Sequence, residues 1–380
     1  MKIAILTTDN REHCRRYDLT QPQFGTAPEA LLQGFARLPE TEVHVVSCTQ
    51  RPMASPVKIG PSIFFHSLHV PKMGWMRTGY QGCIRAARNK LREIRPDIVH
   101  GQGTERDCAL SAVFSGFPNI VTIHGNMKAI AEVYHARIGS FYWLAARLET
   151  LTLKRTAGVF CNSTYTEELV GRRATQTWRV PNALREIVFS QVSASLRGTP
   201  PVLLNIGVVE PRKRQREILG LAGRLWRRGL RFELRFAGAT GSGTEYGRAF
   251  LGELAEAEKA GYARHLGTLT AEQLIAAIDA ASALVHAPTE ESFGLVVAEA
   301  LARNLKLFAS ATGGVVDIAT GVEGTELFPA SDWMAMEKGI ANWLESGSPR
   351  PSSAAAVMRE RYHPLVVAGR HLEIYRKIVC

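Results

Sequence analysis

The sequence predicts an α/β protein built as two doubly wound domains facing across a cleft. Three observations carry that expectation. The chain has 380 residues, too many for one ordinary core. Short apolar runs alternate with stretches of helical periodicity, which is the pattern of a parallel sheet covered by helices on both faces. The alternation lapses once, near residues 180–201, and then begins again.

In the first half, "KIAIL", "EVHVVS", "DIVHG", "NIVTIHG", "AGVFCNS" and "TWRVPN" read as buried strands bounded by turn residues. Between them, "APEALLQGFARL", "GYQGCIRAARNKLREI" and "RIGSFYWLAARLETLTLKR" carry apolar residues at helical spacing. In the second half the strands expected are "PPVLLNIGVV", "RFELRFAGA", "ARHLG", "SALVHAP" and "LKLFAS". The break falls in "VPNALREIVFSQVSASLRGTPP", where Pro, Ser and Gly gather. The expected domains are therefore 1–185 and 195–360. The final stretch, "PLVVAGRHLEIYRKIV", is a helix within 363–380 that could pack on either domain, back on the first included. Doubly wound sheets take ligands outside the carboxyl ends of their strands, so if those ends face each other the expected site is the cleft between the domains.

With 46% hydrophobic and 21% charged residues, the composition is that of a globular protein. No run of eighteen apolar residues is present to span a bilayer. The opening "MKIAILTTDN" lacks the apolar core and cleavage site of a signal peptide, so a cytoplasmic protein is expected. Six cysteines, at 14, 48, 83, 108, 161 and 380, show no paired spacing, which predicts reduced thiols rather than a disulfide or zinc framework. The net charge of +11 is uneven. Residues 1–180 hold 23 basic against 14 acidic side chains, and residues 181–380 hold 23 against 21. A basic first half predicts an anionic partner.

The chemistry concentrates in "EESFGLVVAEALA", Glu290 to Ala302. "SALVHAP" leads in as a strand, "TEES" turns, and "FGLVVAEALA" forms a helix for which Ser292 is the expected N-cap. A helix start at the carboxyl end of a strand is a phosphate site. Glu291 lies just before that helix and Glu299 within it, up to about 12 Å further on at the helical rise. That span suits a nucleotide sugar.

This stretch, followed by "LFASATGGVVDIATG", resembles the E-x7-E motif of GT-B fold glycosyltransferases of family GT4, the glycosyl transferases group 1. The resemblance implies two Rossmann-like domains, the first binding the acceptor and the second the donor. It implies that Glu291 meets the donor sugar near the reacting centre and Glu299 the ribose. Backbone amides around Phe293, Gly294 and Leu295 would hold sugar and phosphate. "NIGVVEPRKRQREIL" resembles the family's opening of the donor domain, with Gly207 ending the strand and Lys213 on the expected lysine. The family's usual arginine after that glycine is replaced by Val208, and Arg212 is the candidate to compensate, because a guanidinium binds phosphate oxygens two at a time. "QPQFGTAPEALLQGF" resembles the family's glycine loop, with Gly25 followed by Thr26 where many relatives have a second glycine. "VTIHGNM" puts His124 where the family has a histidine near the reactive centre. "VFCNST" and "RVPNA" resemble further landmarks around Ser163 and Asn182.

The resemblance also implies retention of anomeric configuration, with a nucleotide-diphosphate sugar as donor substrate and no separate cofactor. The acceptor expected is a hydroxyl of a saccharide or lipid-linked molecule of the cell envelope. The aspartate-x-aspartate pair that holds a metal in the other transferase fold is missing, so no metal is expected. The helix expected from about Tyr80 aligns Ile84, Ala87, Leu91 and Ile94 in one stripe. Between Lys72 and Arg95 the chain also carries Arg77, Arg85, Arg88, Lys90 and Arg92, opposed by Glu93 alone. Such a basic amphipathic helix suits peripheral contact with anionic lipid, although the same stripe also suits packing on the sheet. A nucleotide-sugar epimerase or phosphorylase could use the same architecture. Nucleic-acid binding would need aromatics interleaved with the basic residues, and only Trp75 and Tyr80 adjoin them, so no nucleic-acid partner is expected.

Overall fold

Ile3 and Ile5 turn to one face of the first strand, and Ala4 and Leu6 to the other, and each pair is buried in a different apolar cluster. A strand covered on both faces must be apolar at every position, which is why "KIAIL" runs uninterrupted. A computed structural model describes residues 1–191, 200–241 and 243–379. Residues 192–199 of the expected linker, Ser242 and Cys380 lie outside the described residues. The chain divides into two compact units, Met1–Arg185 with Tyr362–Cys380, and Glu186–Arg361.

The first unit holds β1 (Lys2–Leu6), β2 (Glu42–Thr49), β3 (Lys58–Gly60), β4 (Ile63–His69), β5 (Ile98–Gln102), β6 (Asn119–Ile123), β7 (Val159–Cys161) and β8 (Thr177–Arg179). They form one sheet in the order β3-β4-β2-β1-β5-β6-β7-β8. The β3–β4 pair is antiparallel and the other pairs are parallel. On one face lie the helix Thr26–Phe35 and the C-terminal helix Pro364–Val379, which bury Leu31, Phe35, Val367, Leu372 and Tyr375. Phe35 and Tyr375 stack with ring centroids 6.1 Å apart. On the other face the helix Gln81–Ile94 spends its stripe of Ile84, Ala87, Leu91 and Ile94 on the core.

The second unit holds β9 (Val202–Ile206), β10 (Glu233–Ala237), β11 (Ala263–His265), β12 (Ala283–His286), β13 (Lys306–Ser310) and β14 (Thr325–Phe328). Their order is β11-β10-β9-β12-β13-β14, parallel throughout. Helices Gln215–Arg227, Glu245–Lys259 and Trp333–Glu345 pack Ile218, Leu225, Phe250, Leu254, Ile340 and Trp343 into its core. Both sheets reverse their strand order once, between β1 and β5 and between β9 and β12.

Two departures from the sequence reading have physical causes. The strand Ile63–His69 was not expected, because it is only half covered and His66 and Ser67 interrupt its apolar run. The second helix start also moves: it runs Leu295–Ala302 with Gly294, at φ +100°, as its N-cap, so Ser292 does not cap it. Only a residue without a Cβ enters that left-handed conformation at no cost. The Ser292 hydroxyl donates instead to Glu290 Oε1 at 3.3 Å.

Each unit also contains one buried ion pair that ties loops to the sheet. Arg11 Nη2 meets Asp9 Oδ2 at 2.6 Å with both side chains fully buried, and its Nη1 donates to the carbonyls of Leu19, Thr20 and Ala54. Arg303 Nε meets Asp279 Oδ1 at 2.7 Å, and its Nη1 donates to the carbonyls of Val188 and Ser190. Among the described residues, no helix is long and apolar enough to cross a membrane.

Candidate active site at two strand reversals

Where a doubly wound sheet reverses its order, the loops leaving two neighbouring strands diverge and open a crevice. In the second unit these are the loops after β9 and β12. The β9 loop passes from Gly207 through exposed Val208 to a turn of 3-10 helix, Pro211–Lys213. The β12 loop carries Thr289, Glu290 and Glu291. The two are fastened together: Thr289 N donates to Arg212 O at 2.9 Å, and Arg212 Nη1 to Glu290 O at 2.9 Å. Arg212 Nη2 also meets Glu210 Oε1 at 2.7 Å.

At the centre, Lys213 Nζ donates to Glu291 Oε2 at 2.5 Å, with both side chains only 14% exposed. His286, the last residue of β12, brings Nε2 to within 3.3 Å of the same oxygen. Burial opposes a charge on Glu291, but the His286 hydrogen bond and the Lys213 ammonium outweigh it and hold the carboxyl well below the usual carboxylate range. Burial keeps His286 below its ordinary value against the pull of Glu291. The neutral ring then donates from Nε2 to the carboxylate. Burial raises Glu290, against the opposing effect of Arg212.

Beyond Glu291 the chain packs tightly. Gly314 N donates to Glu291 O at 2.9 Å, and a Cβ on Gly314 would stand 2.6 Å from Ser292 O and 2.7 Å from Phe293 Cα. Only glycine admits that approach. Phe293 is buried, and no side chain caps the helix that begins at Leu295. N–H groups at such a start are the donors that hold phosphate. Glu299 lies in the second turn of that helix and is 2% exposed.

In the first unit the corresponding loops follow β1 and β5. They line a cavity of about 190 Å³ with Thr8, Asn10, His13, Gln102, Glu105 and Arg106. Arg106 Nη2 lies 3.2 Å from His13 Nδ1. Glu105 Oε1 accepts Gly125 N at 3.0 Å, and burial raises its carboxyl. His124, just past β6, bonds Gln102 Oε1 through Nε2 at 2.8 Å. An amide oxygen only accepts, so Nε2 carries the proton. Burial pushes the ring down to about 4, which keeps it neutral. Behind it Gln102 Nε2 lies 3.2 Å from His100 Nε2, and His100 Nδ1 lies 2.5 Å from Tyr375 Oη on the C-terminal helix. Gly25 caps the helix that opens with Thr26; a Cβ there would meet only Pro28 Cδ at 3.7 Å, so packing leaves room for a side chain.

Lys213, Arg212, Glu291, Phe293, Gly294 and Leu295 thus gather at one strand reversal, together with Gly207. His124, Gly25 and Thr26 belong to the first unit. The sequence reading missed His286, whose only signal was a histidine ending an apolar strand. It also missed Gln102 and Glu105, which nothing but their place after a strand marks. Among the described residues, one trio could bring metal-ligand atoms together, Cys48, Cys83 and Asp107, all buried and within 4.8 Å. The hydrogen bond to Cys83 and burial raise the Cys48 thiol, and burial raises Asp107.

Comparison with known families decides the class. The model of glycosyl transferases group 1 matches residues 189–361, and that of glycosyltransferase family 4 matches residues 29–184. The chain belongs to the GT4-type GT-B glycosyltransferases. The family drawn from "EESFGLVVAEALA" is thereby borne out. No curated protein sequence matches. Among solved structures, sucrose-phosphate synthase from Thermosynechococcus elongatus has a TM-score of 0.76 at 17% identity, covering 100% of this chain and 99% of that one. The Anabaena protein Alr3699/HepE, solved in complex with UDP-glucose, gives 0.74 at 14%, covering 99% and 100%. The lipopolysaccharide outer core galactosyltransferase WaaB gives 0.67 at 14%, also covering 99% and 100%. At such identities the likeness concerns the fold.

Proposed function

We propose that this glycosyltransferase is a retaining hexosyltransferase. It moves a sugar from a nucleotide-diphosphate donor to a hydroxyl of a saccharide or lipid-linked acceptor in cell-envelope polysaccharide or glycolipid synthesis, at the cytoplasmic face of the membrane. The observation that carries the reading is the Lys213–Glu291 pair at the β9/β12 reversal. A lone structural ion pair would need no uncapped helix start beside it. A diphosphate would draw the Lys213 ammonium from Glu291 and take the helix amides, with Arg212 beside it. Glu291, relieved of its cation, would accept hydrogen bonds from the sugar hydroxyls, and Glu299 is assigned to the ribose. With these cations present, departure of the diphosphate needs no metal ion. HepE, solved with UDP-glucose, supports such a donor by analogy of fold.

The step is a front-face displacement. The acceptor oxygen bonds to the anomeric carbon on the side from which the diphosphate leaves. The carbon–oxygen bond to the diphosphate breaks, and the acceptor proton passes to a departing phosphate oxygen. The protein contributes positioning and stabilisation of the leaving charge. The first unit, with neutral His124 beside Gln102, is assigned to the acceptor.

Thermal melting against UDP, GDP and ADP and their sugar conjugates tests the donor. A ligand of the folded state adds about 2.7 kcal/mol at a hundredfold excess over its Kd, enough for a clear rise in Tm. One nucleotide should raise the Tm, and Glu299→Gln should reduce that rise. Indifference to every nucleotide would count against the reading, and donor turnover without any acceptor alcohol would favour an epimerase or phosphorylase.

A further inference from the structure

Exposed apolar side chains of the described residues mostly stand singly or in pairs, as on any soluble surface. One group does not. Val133, Tyr134, Ile138, Phe141 and Tyr142 fall within ten positions and are 59%, 51%, 85%, 46% and 38% exposed. They occupy the end of the helix Met127–Val133, the start of the helix Phe141–Leu153 and the turn between them, with Ile138 at the tip. Tyr134 and Tyr142 stack at 5.2 Å and Phe141 lies against Tyr142 at 5.3 Å, so the three rings form one cluster. A patch of this kind marks a contact surface.

Its surroundings carry more cations than anions. Lys128, Arg137 and Arg147 lie on the same two helices and the turn between them, with Glu132 facing Lys128 at 3.9 Å, and the Arg147 guanidinium lies over the Trp143 ring at 5.1 Å. A groove of about 650 Å³ between the two helices is lined by Lys128, Glu132, His135, Trp143, Arg147 and Arg173, the last paired with buried Glu149 at 2.8 Å. Tyr, Trp and Phe beside Lys and Arg, with one protruding aliphatic side chain, is the composition that settles at the headgroup level of a bilayer. Aromatic and Arg side chains also occur at protein interfaces, and indifference to anionic vesicles would point to a protein partner instead.

We infer that this helical hairpin docks on an anionic lipid bilayer. Ile138 and the aromatic rings enter the headgroup layer, and the surrounding cations meet lipid phosphates. The helix Gln81–Ile94, basic as it is, serves less well: its apolar stripe is spent on the core, Arg88 donates to Phe114 O, and Lys90 pairs with Glu93. It offers charge without an apolar anchor. The hairpin follows β6 directly, just past His124, so docking would present a membrane-held acceptor at the strand ends of this unit. That consequence rests on the lipid-linked acceptor proposed above. The docking itself does not.

Co-sedimentation of the full chain with vesicles tests it, using phosphatidylcholine alone and phosphatidylcholine with about one third phosphatidylglycerol. The wild type should sediment with the mixed vesicles and not with the neutral ones. The double variant I138D/F141S should lose at least about tenfold in vesicle binding, and R85E/R92E should keep most of it. Circular dichroism and the nucleotide-dependent Tm rise of I138D/F141S establish that it is folded and binds donor, which separates lost docking from a failed donor reading. Wild type that ignores mixed vesicles, I138D/F141S that binds as wild type, or a loss confined to R85E/R92E would each overturn the inference.

Discussion

The two units reverse their strand order in the same way, yet they furnish the two crevices with opposite chemistry. Around β9 and β12 the side chains are charged and paired: Lys213 on Glu291, Arg212 on Glu210 and Glu290. Around β1 and β5 burial keeps His124 neutral, with Gln102 linking it to His100, and raises Glu105, while Arg106 also lines the cavity. Fixed charge suits a ligand that arrives charged, such as a diphosphate. Neutral donors and acceptors suit hydroxyl groups, which would be poorly served by a strong field. Behind each crevice the scaffold is alike, because each unit anchors its loops with one buried Arg–Asp pair. The contrast therefore belongs to the sites.

The scaffold offers the largest effect by which the comparison can be broken. Asp9→Ala and Asp279→Ala each strand a buried guanidinium, at a cost of about 3–5 kcal/mol. Limited proteolysis and thermal melting should show each variant loosening its own unit. Equal disturbance of both units by either variant would mean that the units do not stand as separate cores.

A smaller effect separates the sites by pH. Burial depresses His124 and His371, both in the first unit, from 6.5 to about 4. The unfolded chain therefore takes up protons on acidification before the folded chain does. Stability is complete above pH 6.5 and falls as the pH drops toward 4, by about 2 kcal/mol per histidine at pH 5 at most. Glu291 has the same sign in a lower window: its folded value is depressed, so its contribution is present above the ordinary carboxylate value and is lost only in stronger acid. Between pH 6.5 and 5 the first unit, where burial lowers His66, His100, His124 and His371, should weaken more than the second, where it lowers His286, while Glu291 stays charged. Hydrogen exchange resolved along the chain reads this directly, and uniform acid weakening of both units would remove the contrast.

How much of this the sequence discloses follows from how each residue earns its place. Strands covered on both faces, such as Lys2–Leu6 and Ala283–His286, carry unbroken apolar runs, Ile3 to Leu6 and Ala283 to Val285, and so are readable. Ile63–His69 is half covered and carries polar residues that hide it. The start of the helix Leu295–Ala302 lies two residues past the expected Phe293 because Gly294 adopts a backbone conformation that composition does not reveal. The candidate site was legible through resemblance more than through physics. Lys213 and Glu291 are 78 positions apart, and only the adjacency of β9 and β12 brings them together. His286 and Gln102 act through the residues they hold, and side chains of that kind leave no pattern along a chain.

The central claim is that Lys213 exchanges Glu291 for the donor diphosphate. The rate of sugar transfer by Lys213→Ala, measured with the nucleotide sugar that raises the Tm, tests it most directly. The account predicts a loss of at least about 100-fold in kcat, as when a preorganised donor to a developing charge is removed. The fold should survive, because losing one partner of a hydrogen bond costs about 1–3 kcal/mol. A variant that melts like the wild type and transfers sugar at the wild-type rate would contradict the assignment of Lys213, and with it the reading of the β9/β12 reversal as the donor site.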